Sequence, residues 1–271
     1  EFDLALEENP RLLDAHMAVG DIYRQRQDFV MAGMSFERAV TVAPASFDAH
    51  YYLGLMRQSG GDLTEAVRVY LRALVINPDS FAANQNLAIA YLDLGRPENA
   101  TPFASRATML EPHNQAAWAN LAAVYSLIGK YDMAVESYRE AVELGEMAAP
   151  VLLGLAEAHI RLGNYQLASV VLRNLIRREP SSTAYERLGY AQFKLHRFQA
   201  ALDNFRTALS LDGGEVAALN GVGACLMTLY LQGDRANRSQ RNESLQAWRR
   251  SVRIEPDQPR VIDLISRYRR L

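Results

Sequence analysis

The chain has 271 residues, of which 49% are hydrophobic and 22% charged, with a net charge of −2. That balance is ordinary for a folded domain, and it gives the chain as a whole no electrostatic pull toward nucleic acid or anionic membrane. A single cysteine, Cys225, excludes an intrachain disulfide, and no apolar run approaches the ~20 residues of a membrane span. The first ten residues, EFDLALEENP, read as the last turns of a helix stopped by Pro10, because proline cannot continue the hydrogen-bond ladder.

Pro10, Pro44, Pro78 and Pro112 stand 34 residues apart, and Glu146 and Pro180 take the next two slots. The stretches that start at Phe47 and Gln115 carry one pattern when those residues are counted as position 1. A large residue stands at position 4, Leu at 7, Gly or Ala at 8 and Ala at 20, with an aromatic at 24, Ala at 27 and usually Pro at 32. Two apolar-periodic segments flank a Gly-centred break in each unit, as in LIGKYD and RLGNYQ. Period 3.6 in both halves predicts two helices per unit. Small residues at 8, 20 and 27 let two helix backbones approach, and large ones at 4, 7 and 24 fill the space between.

In chain order, the spacing places residues 1–10 as the second helix of a repeat whose first helix is absent. This predicts a chain cut from a longer protein, with uncovered apolar surface that invites end-to-end self-association. Residues 11–256 follow as seven helix pairs ending at Pro44, Pro78, Pro112, Glu146, Pro180, Gly213 and Pro256. In the third pair Pro97 suits a first helical turn. Pro102 lies deeper and predicts a distorted or late-starting second helix. The sixth pair is one residue short, and Gly213–Gly214 replaces its closing Pro, which suits a left-handed cap. The seventh carries about nine extra residues near 231–240, read as a solvated extended loop or as a partner contact through Arg235, Arg238 and Arg241. Residues 257–271 read as a terminal capping helix, with Val261, Ile262, Leu264 and Ile265 on one stripe. Residues 234–271 hold ten Arg and five acids, so this end is basic and the remainder acidic; it reads equally as a surface for an acidic partner or as a solvated cap.

Trp118, Leu121, Ala122, Tyr125, Ala134, Tyr138 and Ala141 form a pattern that resembles the tetratricopeptide repeat, as do His50, Leu53, Gly54, Ala66, Tyr70, Ala73 and Pro78 one unit earlier. The resemblance covers essentially the whole chain. It implies an all-α, right-handed superhelical solenoid of antiparallel helix pairs, with the first helices lining a concave groove. Carried over by position, the candidate groove residues are Tyr51, Tyr52, Leu55, Gln85, Asn86, Ile89, Asn120, Glu157, Arg187 and Tyr190. Asn86 and Asn120 hold the same slot. Stacked amides of this kind pair with the N–H and C=O of an extended peptide whatever its sequence, as in the similar helical arm of the O-linked N-acetylglucosamine transferases. Tyr51, Tyr52 and Tyr190 are candidate amphipathic anchors at the rim.

No enzyme constellation is present. GVGAC at 221–225 lacks a third glycine and falls inside a predicted helix, and His16 and His50 occupy packing slots rather than a metal cluster. The expected function is a non-catalytic scaffold for a partner peptide or helix, without cofactor, metal, nucleic acid or membrane insertion. The alternative is the substrate-recruiting arm of a larger enzyme such as a glycosyltransferase.

Overall fold

A computed structural model describes residues 12–145 and 148–269. The opening segment and its predicted uncovered helix lie outside the described residues. The chain divides into two compact units, Glu1–Gly145 and Glu146–Leu271. No strand occurs among the described residues.

The first unit pairs α1 (Leu13–Gln25) with α2 (Phe29–Val42), α3 (Phe47–Ser59) with α4 (Leu63–Ile76), α5 (Phe81–Asp93) with α6 (Pro97–Leu110), and α7 (Gln115–Leu127) with α8 (Tyr131–Leu144). The second pairs α9 (Ala149–Arg161) with α10 (Tyr165–Arg178), α11 (Ser182–Lys194) with α12 (Phe198–Leu211), and α13 (Val216–Gln232) with α14 (Arg238–Ile254), and α15 (Pro259–Tyr268) packs on α14. Within each unit every second helix also packs on the first helix that follows it, and first helices touch one another: α3 on α5, α5 on α7, α9 on α11 and α11 on α13.

Local chemistry fixes the helix ends. Ser46, Ser80, Asn114 and Ser181 cap first helices, and Asp28 and Asp62 cap second helices, each side chain accepting a backbone N–H of the first turn. The turn inside each of six pairs closes with an N–H reaching back five residues, from Asp28 to Tyr23, Asp62 to Arg57, Arg96 to Tyr91, Lys130 to Tyr125, Asn164 to His159 and Arg197 to Gln192. That closure needs one left-handed residue. Gly61, Gly95, Gly129 and Gly163 supply it, with φ between 67° and 83°. Gln27 and His196 fill the same slot at φ 59° without being glycine, a conformation that costs an L residue roughly 1–2 kcal/mol. A Cβ at Gly129 would touch nothing within 4 Å, so only backbone strain opposes it. We expect Gly129→Ala to lower stability by about 1 kcal/mol in urea denaturation. Gln27→Gly should have the opposite sign and a smaller size, because a freer unfolded chain offsets part of the relief.

The small residue at position 8 faces the large one at position 24 of the same pair. A Cβ on Gly20 would sit 2.6 Å from the Phe36 ring, on Gly54 2.7 Å from Tyr70, on Gly189 2.9 Å from Phe205 and on Gly223 2.3 Å from Trp248. The third pair departs from this pattern: Ala104 holds position 24, and the aromatic moves one residue back to Phe103, which stacks on Tyr91 at 5.9 Å. The large residue at position 4 has a second role. His50 bonds the Pro44 carbonyl at 2.9 Å, the Asn84 amide donates to the Pro78 carbonyl at 2.9 Å, and the Trp118 indole N–H donates to the Pro112 carbonyl at 2.8 Å. Each contact ties a first helix to the proline that closed the preceding pair.

Three sequence expectations need correction. Helix α6 runs from Pro97 through Pro102 to Leu110 and does not start late. Pro102, the sixth residue of the helix, is exposed and removes one ladder bond through its missing N–H. Gly213 and Gly214 are absent from the positive-φ residues. Instead Asp212 accepts the Gly214 N–H at 2.9 Å and Arg250 donates to the Gly213 carbonyl at 2.7 Å, so side chains hold the link after α12 where a left-handed glycine was expected. The extra residues of the seventh pair do not form an extended loop. They lengthen α13 and α14 to 17 residues each, against 13 or 14 in the other pairs, and leave a short link around Gly233–Asn237. Helix α15 sets Val261, Leu264, Ile265 and Tyr268 against Met227, Tyr230, Leu245 and Trp248.

Candidate functional site

In the first unit, the neighbouring helices α3, α5 and α7 carry Tyr51, Tyr52, Leu55, Gln85, Asn86, Ile89 and Asn120, all half-buried. Tyr51 and Asn86 meet: the Asn86 side-chain N–H donates to the Tyr51 hydroxyl oxygen at 3.2 Å. Asn86 therefore spends side-chain donor capacity inside the protein and keeps its carbonyl oxygen as an acceptor. Burial, the neighbouring Tyr52 and the other local groups leave the Tyr51 hydroxyl above its ordinary pKa, so it is a neutral donor. The side-chain amides of Gln85 and Asn120 have no hydrogen-bond partner among the described residues.

The tyrosines are less free than rim anchors. Tyr52 stacks on Phe36 at 5.4 Å, Tyr51 on Phe47 at 5.8 Å, and the two meet edge to face at 5.3 Å. The Arg24 guanidinium lies 5.8 Å over the Tyr52 ring and is held there by Asp21, which accepts from its Nε at 2.8 Å. Leu55 packs with Tyr52 on the core of Ala32, Phe36, Leu53, Met56 and Val69. Tyr51 and Tyr52 thus belong to one ring cluster that joins α2, α3 and α4.

In the second unit Glu157, Arg187 and Tyr190 lie on α9 and α11. Glu157 is shared by Arg161, whose Nε approaches at 2.8 Å, and Arg187, at 3.5 Å. Tyr190 meets Tyr165 at 6.4 Å and has the Lys194 ammonium 5.5 Å over its ring. The sequence reading missed Glu186, which is only 6% exposed. Burial raises its carboxyl above the ordinary value against the pull of Arg187, whose Nε is 3.4 Å away. Its signal in the sequence is weak, since an acid at position 5 of a first helix reads as a solvated residue. Arg24 and Gln58, both at position 12 of a first helix, were also passed over. Gln58 accepts the Tyr70 O–H at 2.9 Å.

Among the described residues no three His, Cys, Asp or Glu side chains converge to hold a metal, and no helix is long and apolar enough to cross a membrane. Burial lifts the Cys225 thiol to about 12, which leaves no thiolate nucleophile near neutral pH.

Comparison with solved structures gives the same architecture. A tetratricopeptide repeat protein from Parabacteroides merdae is 18% identical, covering 94% of this chain and 98% of its own, with a TM-score of 0.64. YrrB, described as a tetratricopeptide protein with an unusual peptide-binding site, is 19% identical over 72% of this chain and 96% of its own, at 0.58. The anaphase-promoting-complex hetero-tetramer Cut9–Hcn1 contains a chain 17% identical, covering 98% of this one and 51% of that one, at 0.61. These likenesses establish the fold alone. No curated protein matches the sequence. Residues 4–229 match the family described as the cilia and flagella-associated protein 70 C-terminal domain. With that match spanning most of the seven helix pairs, the chain belongs to the tetratricopeptide family of the cilia and flagella-associated protein 70 C-terminal domain.

Proposed function

We propose that the chain is a non-catalytic interaction scaffold, and that the first-helix face of its first unit holds an extended segment of a partner protein. One observation carries the reading: the amides of Gln85 and Asn120, with no protein partner, share neighbouring first helices with the Tyr51–Asn86 pair. An extended peptide presents alternating N–H and C=O groups along its edges, and such a row of donors and acceptors satisfies them without reading its side chains. The peptide-binding site in the description of YrrB and the assembly of Cut9 with Hcn1 support a binding role for this fold. The site itself is argued only from the residues here.

The test is Asn86→Ala with Asn120→Ala, used beside the parent chain as bait in cell lysate. Each amide bond to a peptide contributes about 0.5–1.5 kcal/mol net, so a groove-bound partner should lose roughly tenfold or more in retention. Unchanged far-UV circular dichroism would show that the variant is folded. A partner retained equally by both baits would place the contact elsewhere and overturn the groove reading.

A further inference from the structure

The two units differ in charge. Residues 12–145 carry fifteen acids and ten bases, whereas residues 148–269 carry eleven acids and seventeen bases. Pairing differs as well. In the first unit five of the ten bases sit against a carboxylate: Arg24 on Asp21, Arg57 on Glu37, Arg68 on Glu65, Arg106 on Asp79 and Arg139 on Glu136. At the end of the second unit the acids are spent on other partners or stand apart. Glu243 pairs with Arg206 and Asp263 with Arg267. Among the described residues, none of Arg235, Arg238, Arg249, Arg253 and Arg260 has a carboxylate partner, and all five are exposed.

Their placement does not serve the helices that carry them. Arg235 and Arg238 flank the start of α14, which has no acid in its first turn; the helix dipole is positive there and cations are unfavourable. Arg249 and Arg253 are four residues apart on one exposed face, a like-charge spacing that also disfavours the helix. Arg250, between them, is committed to the Gly213 carbonyl. The nearby aromatics are not available for stacking on nucleic-acid bases: Trp248 is 2% exposed and Tyr268 packs on it at 6.3 Å.

We propose that the outer surface of α14 and the start of α15 is a second interaction site, which takes an acidic peptide segment of a partner protein. The spacing fits. Residues four apart on a helix face stand ~6 Å apart, about the distance between alternate residues of an extended strand. Carboxylates at every second position would therefore meet Arg249 and Arg253 in turn. Guanidinium groups suit this partner because each offers a two-pronged donor to a carboxylate. The surface lies wholly within the second unit and is independent of the first-helix face proposed above.

The test is fluorescence anisotropy on the full 271-residue chain, with a labelled synthetic peptide of alternating Glu and Leu as probe. The parent chain should bind, and binding should weaken as salt rises from ~50 to ~200 mM. Arg249→Glu with Arg253→Glu should weaken it about tenfold or more, while Arg249→Lys with Arg253→Lys should retain most of it. Asn86→Ala with Asn120→Ala should leave it unchanged, which separates this site from the groove. Equal affinity of the parent and the Glu variant would overturn the proposal. So would tighter binding of a single-stranded oligonucleotide, or of anionic vesicles, than of the peptide, because the surface would then serve another class of partner.

Discussion

Replacing Gly223 with Ala is expected to lower stability by about 3 kcal/mol, near the top of the range for overpacked cores. The Cβ would land 2.3 Å from the Trp248 indole nitrogen and 2.5 Å from its Cδ1. The ring has little freedom to yield. Its N–H donates to the Asn220 carbonyl at 3.3 Å, and Met227, Tyr230 and Leu245 share its cluster. Tyr268 of α15 lies on its other side, so any displacement of the indole is transmitted to the capping helix. An exposed helical Gly→Ala change ordinarily stabilises by about 1 kcal/mol, and the chain contains its own control. At Gly33 in α2 the nearest atom to a new Cβ is Met56 Cβ, at 3.7 Å, an ordinary contact, so Gly33→Ala should raise stability. Denaturation midpoints for the two variants should move in opposite directions. If Gly223→Ala proved neutral, the close approach of α13 and α14 would be wrong.

Tyr70→Ala is expected to cost about 3–5 kcal/mol, as for other large aromatics removed from a core. Tyr70 is fully buried. Its ring fills the space left by Gly54 and lies 6.2 Å from Tyr51, so it supports the first-helix face from behind. Its hydroxyl donates to Gln58, and burial raises its pKa well above the ordinary value, so it stays a neutral donor at any physiological pH. Tyr70→Phe removes the hydroxyl and keeps the ring. It should cost only about 1 kcal/mol, the net value of one hydrogen bond. A Phe variant as damaged as the Ala variant would mean that the hydroxyl, rather than the packing of the ring, holds α3 to α4.

The candidate face was legible only in part. The period placed Asn86 and Asn120 in one slot, and only the resemblance to the tetratricopeptide repeat made that slot a candidate for the groove. It could not show that Asn86 already donates to Tyr51, since that bond joins residues 35 apart and depends on how closely α3 and α5 approach. The packing of the tyrosines was hidden for a related reason. A Tyr on a first helix reads as an amphipathic anchor, but Phe36, Phe47 and Tyr70 converge on this pair from three helices. Glu186 was missed because burial is a property of the assembled helices, and nothing in its local sequence records it.

The sequence by itself determined the repeat: helix pairs, their period, the small-against-large slots and the closing prolines. These are local demands, repeated often enough that each copy corroborates the next. Where one copy departs from the rest, local rules lose that support and tertiary contacts decide. Arg250, reaching from α14 to the Gly213 carbonyl, holds the link after α12 where a left-handed glycine was expected. The added residues of the seventh pair became extra turns of α13 and α14, because a helix satisfies its backbone where an extended loop relies on water. The bonds from His50, Asn84 and Trp118 to the prolines before them belong to both levels. Their spacing is written in the period, and their meaning appears only once one helix pair is laid against the last.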